Sequence, residues 1–132
     1  DDEASLVAAL SAAAADVEEL HGVHVELASA GDCAIDDESG ALVLAAREAM
    51  TNAAKFSGAD AIDVYAEVSG DAISVFVRDR GSGFDRSAVP TDRRGLTESI
   101  ERRLERAGGR AAVLTAPGDG TEVELHLPRR QA

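Results

Sequence analysis

Ser74-Val75-Phe76-Val77-Arg78-Asp79-Arg80-Gly81-Ser82-Gly83-Phe84 opens as an apolar run and breaks into an acid followed by two glycines spaced two apart. The first half has the composition of a buried strand. A carboxylate at the end of such a strand has one fixed position, and the glycines after it let backbone and ligand approach closely. Asp79 is therefore placed to accept a hydrogen bond from an amino group lying flat over Gly81 and Gly83; the N6 amino group of adenine is one such group. Taken alone, the stretch reads as readily as a strand ending in an Asp-containing turn. Its neighbours along the chain have to decide between the two.

Upstream, Ala61 to Val68 alternates Ile62, Val64, Ala66 and Val68 against Asp63, Tyr65 and Glu67, and a Ser69-Gly70-Asp71 turn joins it to the opening stretch as a hairpin. Ile73 to Val77 is more uniformly apolar and so reads as a central strand. Before the hairpin, Ala41 to Phe56 reads as a helix with Leu42, Ala45, Ala46, Ala49, Met50 and Ala53 on its apolar side. Glu48 and Asn52 are four residues apart and share a face, with Lys55 three further on. An acid, an amide and a base grouped in this way form either a solvated surface or a cluster that holds magnesium and its phosphates. Magnesium takes hard oxygen ligands and keeps several waters, so one amide oxygen and a nearby carboxylate suffice.

The start of the chain, Leu6 to Leu20, carries Leu6, Leu10, Ala13, Val17 and Leu20 on one helical stripe, with Gly22 as the stop. Val23 to Leu27 alternates as a half-buried strand. His21 and His24 read as surface histidines flanking a turn, since no third metal ligand sits at useful spacing. Gly31 to Gly40 is an acidic loop without the EF-hand pattern, and reads as a solvated loop that caps a helix. Downstream, Phe84 to Arg94 lacks periodicity and reads as a mobile loop. Leu96, Ile100, Leu104 and Ala107 mark a helix that starts after Gly95 and ends at Gly108-Gly109. A helix start after a glycine leaves N–H groups open to an anion, and Arg93 and Arg94 lie just before it. Ala111 to Thr115, the turn Pro117-Gly118-Asp119-Gly120, and Thr121 to Leu127 form a last hairpin.

The 132 residues suit a single domain, 1–132, with one core. That core is built mainly from Ala, Val, Leu and Ile, because Met50, Phe56, Tyr65, Phe76 and Phe84 are the only methionine and aromatic residues. A formal net charge of −12 argues against nonspecific binding to nucleic acid or to an anionic membrane surface. A polyphosphate ligand would need locally placed positive charge. The single cysteine, Cys33, allows no intrachain disulfide. No apolar run approaches the roughly 18 to 20 residues that span a membrane, and no signal peptide is visible. The opening Asp1-Asp2-Glu3 has no initiator Met, which suggests a domain cut from a longer protein.

Three separated pieces then line up. Arg47-Glu48-Ala49-Met50-Thr51-Asn52-Ala53-Ala54-Lys55-Phe56 resembles the N box of the GHKL family, the ATP-binding module of sensor histidine kinases. Asp79-Arg80-Gly81-Ser82-Gly83-Phe84 resembles its first glycine box. Arg94-Gly95-Leu96 and the following helix, with Ala107-Gly108-Gly109 and Pro117-Gly118-Asp119-Gly120-Thr121, resemble its second glycine box and closing hairpin. Order and spacing match over nearly the whole chain. The Gly95-Leu96 pair and the run Glu101-Arg102-Arg103-Leu104-Glu105-Arg106-Ala107-Gly108-Gly109 look most like kinases that partner LuxR/NarL-type response regulators.

The resemblance implies an α+β fold, a two-layer sandwich of the Bergerat type, with a mixed, mostly antiparallel sheet, helices on one face and residues 84–94 as an ATP lid. It implies ATP and magnesium as ligands. Asn52 would bind the metal, Lys55 would face phosphate, and Glu48 would polarise a water or support the magnesium shell. Asp79 would accept from adenine N6 with Gly81 and Gly83 flooring the base, and Thr121 would help hold it. Arg93, Arg94, Gly95 and Leu96 would lie at the helix start that receives the phosphates. Arg80, Arg93 and Phe56 depart from the commonest residues of these boxes, and Arg93 could clamp phosphate or restrict lid closure.

The implied activity is transfer of the γ-phosphoryl group of ATP to a histidine on an upstream dimerisation domain of the same polypeptide, and from there to a response regulator; the domain is expected in the cytoplasm, with membrane anchoring of the full-length protein by upstream segments left open. His21, His24 and His126 lie in no phosphoacceptor motif, so the acceptor is expected upstream. The isolated domain is expected to be monomeric. The alternatives are a nucleotide-gated binding module and an anti-sigma-type serine kinase of the same fold.

Overall fold

The computed structural model describes residues 5–56, 60–81, 91–115 and 120–129. Among these residues the order is α1 (Leu6–His21), β1 (His24–Ala30), α2 (Asp37–Phe56), β2 (Ala61–Val68), β3 (Ala72–Asp79), α3 (Thr91–Arg106), β4 (Arg110–Thr115) and β5 (Thr121–Pro128). The strands form one sheet in the order β1-β2-β3-β5-β4, with β1 and β2 parallel and the other neighbours antiparallel. β3 is the middle strand, as its uniformly apolar sequence predicts.

Helix boundaries follow from their caps. The Ser5 hydroxyl accepts from the Ala8 N–H at 3.1 Å and opens α1, and Gly22, at φ 70°, closes it by donating to the Glu18 carbonyl. Asp32 adds a second cap: its Oδ1 accepts from the Val7 and Cys33 N–H groups at 2.9 and 2.8 Å. Slight burial pushes the Asp32 carboxyl upward, but these amides, with Ser5 and Leu6, hold it below the usual carboxylate range.

α2 starts at Asp37, four residues before the expected Ala41. A reciprocal cap explains the earlier start. Asp36 Oδ1 accepts from the Ser39 N–H at 2.8 Å, and Ser39 Oγ accepts from the Asp36 N–H at 2.8 Å. The Gly40 N–H already donates to the Asp36 carbonyl, so Gly40 lies inside the helix. The acidic loop does cap a helix, as expected, but its last residues belong to that helix.

α3 differs more. It starts at Thr91 rather than after Gly95, so Arg93, Arg94 and Gly95 lie within its first turns. The helix therefore carries Gly95 in its interior, a residue that costs about 1 kcal/mol there relative to alanine. Residues 91–94 of the expected lid are thus helical, and the rest of the segment lies outside the described residues.

The three helices lie on one face of the sheet, with α2 packed between α1 and α3. Strand alternation turns Val25, Ile62, Val64, Ala66, Ile73, Val75, Val77, Val113, Val123, Leu125 and Leu127 into that core. They meet Leu6, Leu10 and Val17 of α1, Leu42 and Met50 of α2, and Ile100 and Leu104 of α3, all buried. The alanines at 45, 46, 49 and 53 let α2 sit close on the sheet. The opposite face carries Tyr65 stacked on Phe76, and His126 edge-on to Phe76.

Candidate functional site

Topology alone gathers the candidate residues. β2 starts at the end of the sheet where β3 finishes, since Ile62 pairs with Asp79, and β5 starts there too, since Thr121 pairs with Asp79. α2 runs into the start of β2, so its last turns, with Asn52 and Lys55, lie at that same end. β4 starts at the far end, opposite His126, so α3, which feeds it, begins at the near end. Asn52, Lys55, Asp79, Gly81, Thr121 and the backbone of Arg93 to Leu96 therefore share one end of the sandwich. Glu48 lies one turn back from Asn52 along α2. Gly83 falls outside the described residues, as do the turn residues 117–119.

Asp79 is the most constrained of these groups. It follows Ile73, Val75 and Val77 in the strand alternation, so its side chain points to the helix-covered side, and it is 4% exposed. Its Oδ1 accepts from the Gly81 N–H at 2.9 Å. Burial pushes its carboxyl above the usual carboxylate range, against the opposing pull of the Gly81 and Thr121 amides. Among the described residues the donors that reach it are backbone N–H groups, so the buried charge is met by dipoles and not by an opposite charge.

Gly120 explains how Thr121 comes so near. It has φ 75°, and a Cβ there would collide with the Asp79 carbonyl oxygen and crowd the Arg80 Cα. Only glycine lets the chain enter β5 this close to the end of β3. Gly120 appears in the closing turn of the sequence reading, but its contact with Asp79 is tertiary and no local pattern reveals it.

On α2, Glu48 and Asn52 are half-buried at the margin of the apolar stripe, and Lys55 is exposed. Glu48 meets Arg103 of α3, with Arg103 Nη2 3.6 Å from Glu48 Oε1. Arg103 is absent from the sequence-based candidates. Its signal was its place between the buried Ile100 and Leu104, beside the stripe rather than opposite it. Among the described residues no group of three or more His, Cys, Asp or Glu side chains forms a metal-binding cluster. An amide-plus-carboxylate magnesium site needs no such cluster. The donor set suits a magnesium nucleotide: a buried acceptor for an amino group, hard oxygens one turn apart, and a lysine at the helix end.

Residues 37–131 match the model of the family described as histidine kinase-, DNA gyrase B-, and HSP90-like ATPases. An uncharacterised sensor-like histidine kinase of Chloroflexus aurantiacus is 35% identical over 94 residues, which are 67% of this chain and 16% of that protein. The sensor histidine kinase LiaS of Bacillus subtilis is 30% identical over 82 residues, 62% of this chain and 22% of that one. The chain thus spans less than a quarter of the length of these relatives. Among solved structures, the ATP-binding domain of PrrB from Mycobacterium tuberculosis superposes with a TM-score of 0.72 at 26% identity, covering 93% of both chains. The chain belongs to the family of histidine kinase-, DNA gyrase B- and HSP90-like ATPases, and within it groups with the ATP-binding domains of sensor histidine kinases.

Proposed function

We propose that this chain is the cytoplasmic ATP-binding domain of a sensor histidine kinase and binds magnesium ATP at the end of the sandwich where β3 finishes. The observation that carries the reading is Asp79: a buried carboxyl with raised proton affinity at the end of the central strand, whose donors among the described residues are backbone amides. The N6 amino group of adenine is the ligand's donor to it, Gly81 and Gly83 floor the base, and Thr121 supports it from β5. Asn52 offers its amide oxygen to magnesium, and Lys55 faces the phosphates. The start of α3, with Arg93, Arg94, Gly95 and Leu96, receives them. Glu48 polarises a water or supports the magnesium shell. ATP supplies the γ-phosphoryl group, and catalysis consists of positioning it and neutralising its charge.

The phosphoryl acceptor is a histidine on an upstream dimerisation domain, and the response regulator is of the LuxR/NarL type. No described helix is long and apolar enough to cross a membrane. Domain 1–132, with its lid over residues 84–94, acts as a monomer by itself.

Calorimetric titration with ATP, with and without magnesium, tests the reading. The unmodified chain binds, magnesium strengthens the binding, and Asn52→Ala removes that gain while leaving the metal-free affinity in place. An Asn52→Ala variant with the full magnesium gain contradicts the assignment. Binding without acid-labile phosphohistidine in the full-length protein would favour the nucleotide-gated module.

A further inference from the structure

The contact between Glu48 and Arg103 is unlike the other ion pairs among the described residues. Glu48 Oε1 and Arg103 Nε are both closed off from solvent, and neither has a hydrogen-bond partner among the described residues. The pair lies at 3.6 Å, within ion-pair range but about 0.5 Å or more beyond a hydrogen bond. The neighbouring arginine shows the contrast. Arg102 turns outward and meets Glu98, four residues back, at 3.8 Å in a solvated pair. The Arg103 side chain is 38% exposed and long enough to do the same. Instead its Nε is turned in against α2, where an unpaired buried donor is unfavourable. What that orientation gains is proximity to a half-buried carboxylate whose Oε1 is closed off and short of a donor among the described residues.

We infer that Arg103 is a positioning residue for Glu48. The inference rests on the proposed role of Glu48 and adds the means by which that side chain is held. A guanidinium is charged at every working pH and presents a planar fork of donors, so it fixes both the place and the orientation of a neighbouring carboxylate. The fork of Arg103 comes from α3, the helix whose start lies among the proposed phosphate-binding residues. Closing the gap to hydrogen-bond distance needs only a small approach of α3 to α2. The carboxylate is therefore held by the element that also meets the phosphates, and not by α2 alone.

Two readouts test this. In proton–nitrogen NMR of the chain, the Arg103 Nε–H gives a resonance resolved from those of the exposed arginines, and Glu48→Gln moves it. An Arg103 signal inside the exposed-arginine envelope, indifferent to Glu48→Gln, overturns the contact. In the full-length kinase, Arg103→Gln lowers kcat for autophosphorylation about tenfold with the KM for ATP within about twofold. Arg103→Lys restores part of the rate, and it keeps the test open if Arg103→Gln does not fold. The double variant is no slower than Glu48→Gln, because Arg103 acts through Glu48. A wild-type kcat in Arg103→Gln, or losses that multiply in the double variant, overturns the inference. If Glu48→Gln leaves kcat intact in a protein that binds ATP, the role proposed for Glu48 fails, and the inference falls with it. A silent Arg103→Gln beside a crippled Glu48→Gln overturns the inference alone.

Discussion

The two ends of the sandwich treat their acids in opposite ways. At the end where α1 and α2 begin, Asp32 and Asp36 lie near the surface and accept hydrogen bonds from the amides that open those helices. Hydrogen bonds from Ser39, amide and hydroxyl, hold Asp36 below the usual carboxylate range. At the end where β3 finishes, Asp79 is buried and its carboxyl is pushed up, and Glu48 keeps a buried oxygen without a donor. Asp32 and Asp36 stabilise the fold in their charged form. Asp79 is charged at a cost, and a cost retained in a fold points to a ligand that relieves it.

The comparison can be broken most forcefully at Asp79. Asp79→Ala removes the proposed adenine acceptor and leaves the Gly81 N–H short of a partner. A charged hydrogen bond of this kind contributes about 2–3 kcal/mol, so ATP affinity falls roughly 30- to 150-fold in calorimetry. Gly120→Ala tests the same junction through the backbone. The collision with the Asp79 carbonyl and the positive φ predict a loss of more than about 1 kcal/mol in denaturant unfolding, with ATP affinity weakened as Thr121 is displaced.

At the other end, Asp36→Ala costs about 1 kcal/mol of stability and leaves ATP affinity unchanged. Ser39→Ala costs a similar amount, and the double variant loses less than the sum because each residue caps through the other. An effect of either substitution on ATP binding would break the division between the two ends.

The smallest effect, and the one that sharpens the contrast, is the sign of the pH dependence. Asp36 has a lowered folded pKa, so its stability is present above the unfolded value and lost as pH falls through the folded one. Asp79 has a raised folded pKa. Its favourable contribution is fully present below the unfolded value and lost as pH rises through the folded one. Asp36→Asn should therefore flatten the acid-side loss of stability, and Asp79→Asn should steepen it, in unfolding midpoints measured from the acid range upward.

Much of this was legible in the sequence. The alternation of Ile62, Val64 and Ala66, and the uniform run before Asp79, predict a hairpin with a central second strand, and the register bears this out. The same alternation carries Asp79 and Thr121 to the helix-covered side. What the sequence hid was tertiary or depended on competing local signals. Gly40 and Gly95 look like boundaries, yet the Asp36–Ser39 cap draws Gly40 into α2, and α3 begins at Thr91, four residues before Gly95. Arg103 looks like one more solvated arginine in an Arg-rich helix until α2 supplies Glu48 across the seam. Gly120 has its reason in the Asp79 carbonyl, forty-one residues away in sequence.

The most direct test of the central claim pairs two measurements on one variant, Asp79→Asn. The amide keeps an oxygen for the Gly81 N–H and removes the buried charge, but it presents a donor where the ligand's amino group needs an acceptor. The account predicts a melting temperature at or above that of the unmodified chain, together with loss of magnesium-ATP binding by calorimetry. A variant that melts lower and still binds ATP would show that Asp79 serves the fold rather than the ligand, and would contradict the account.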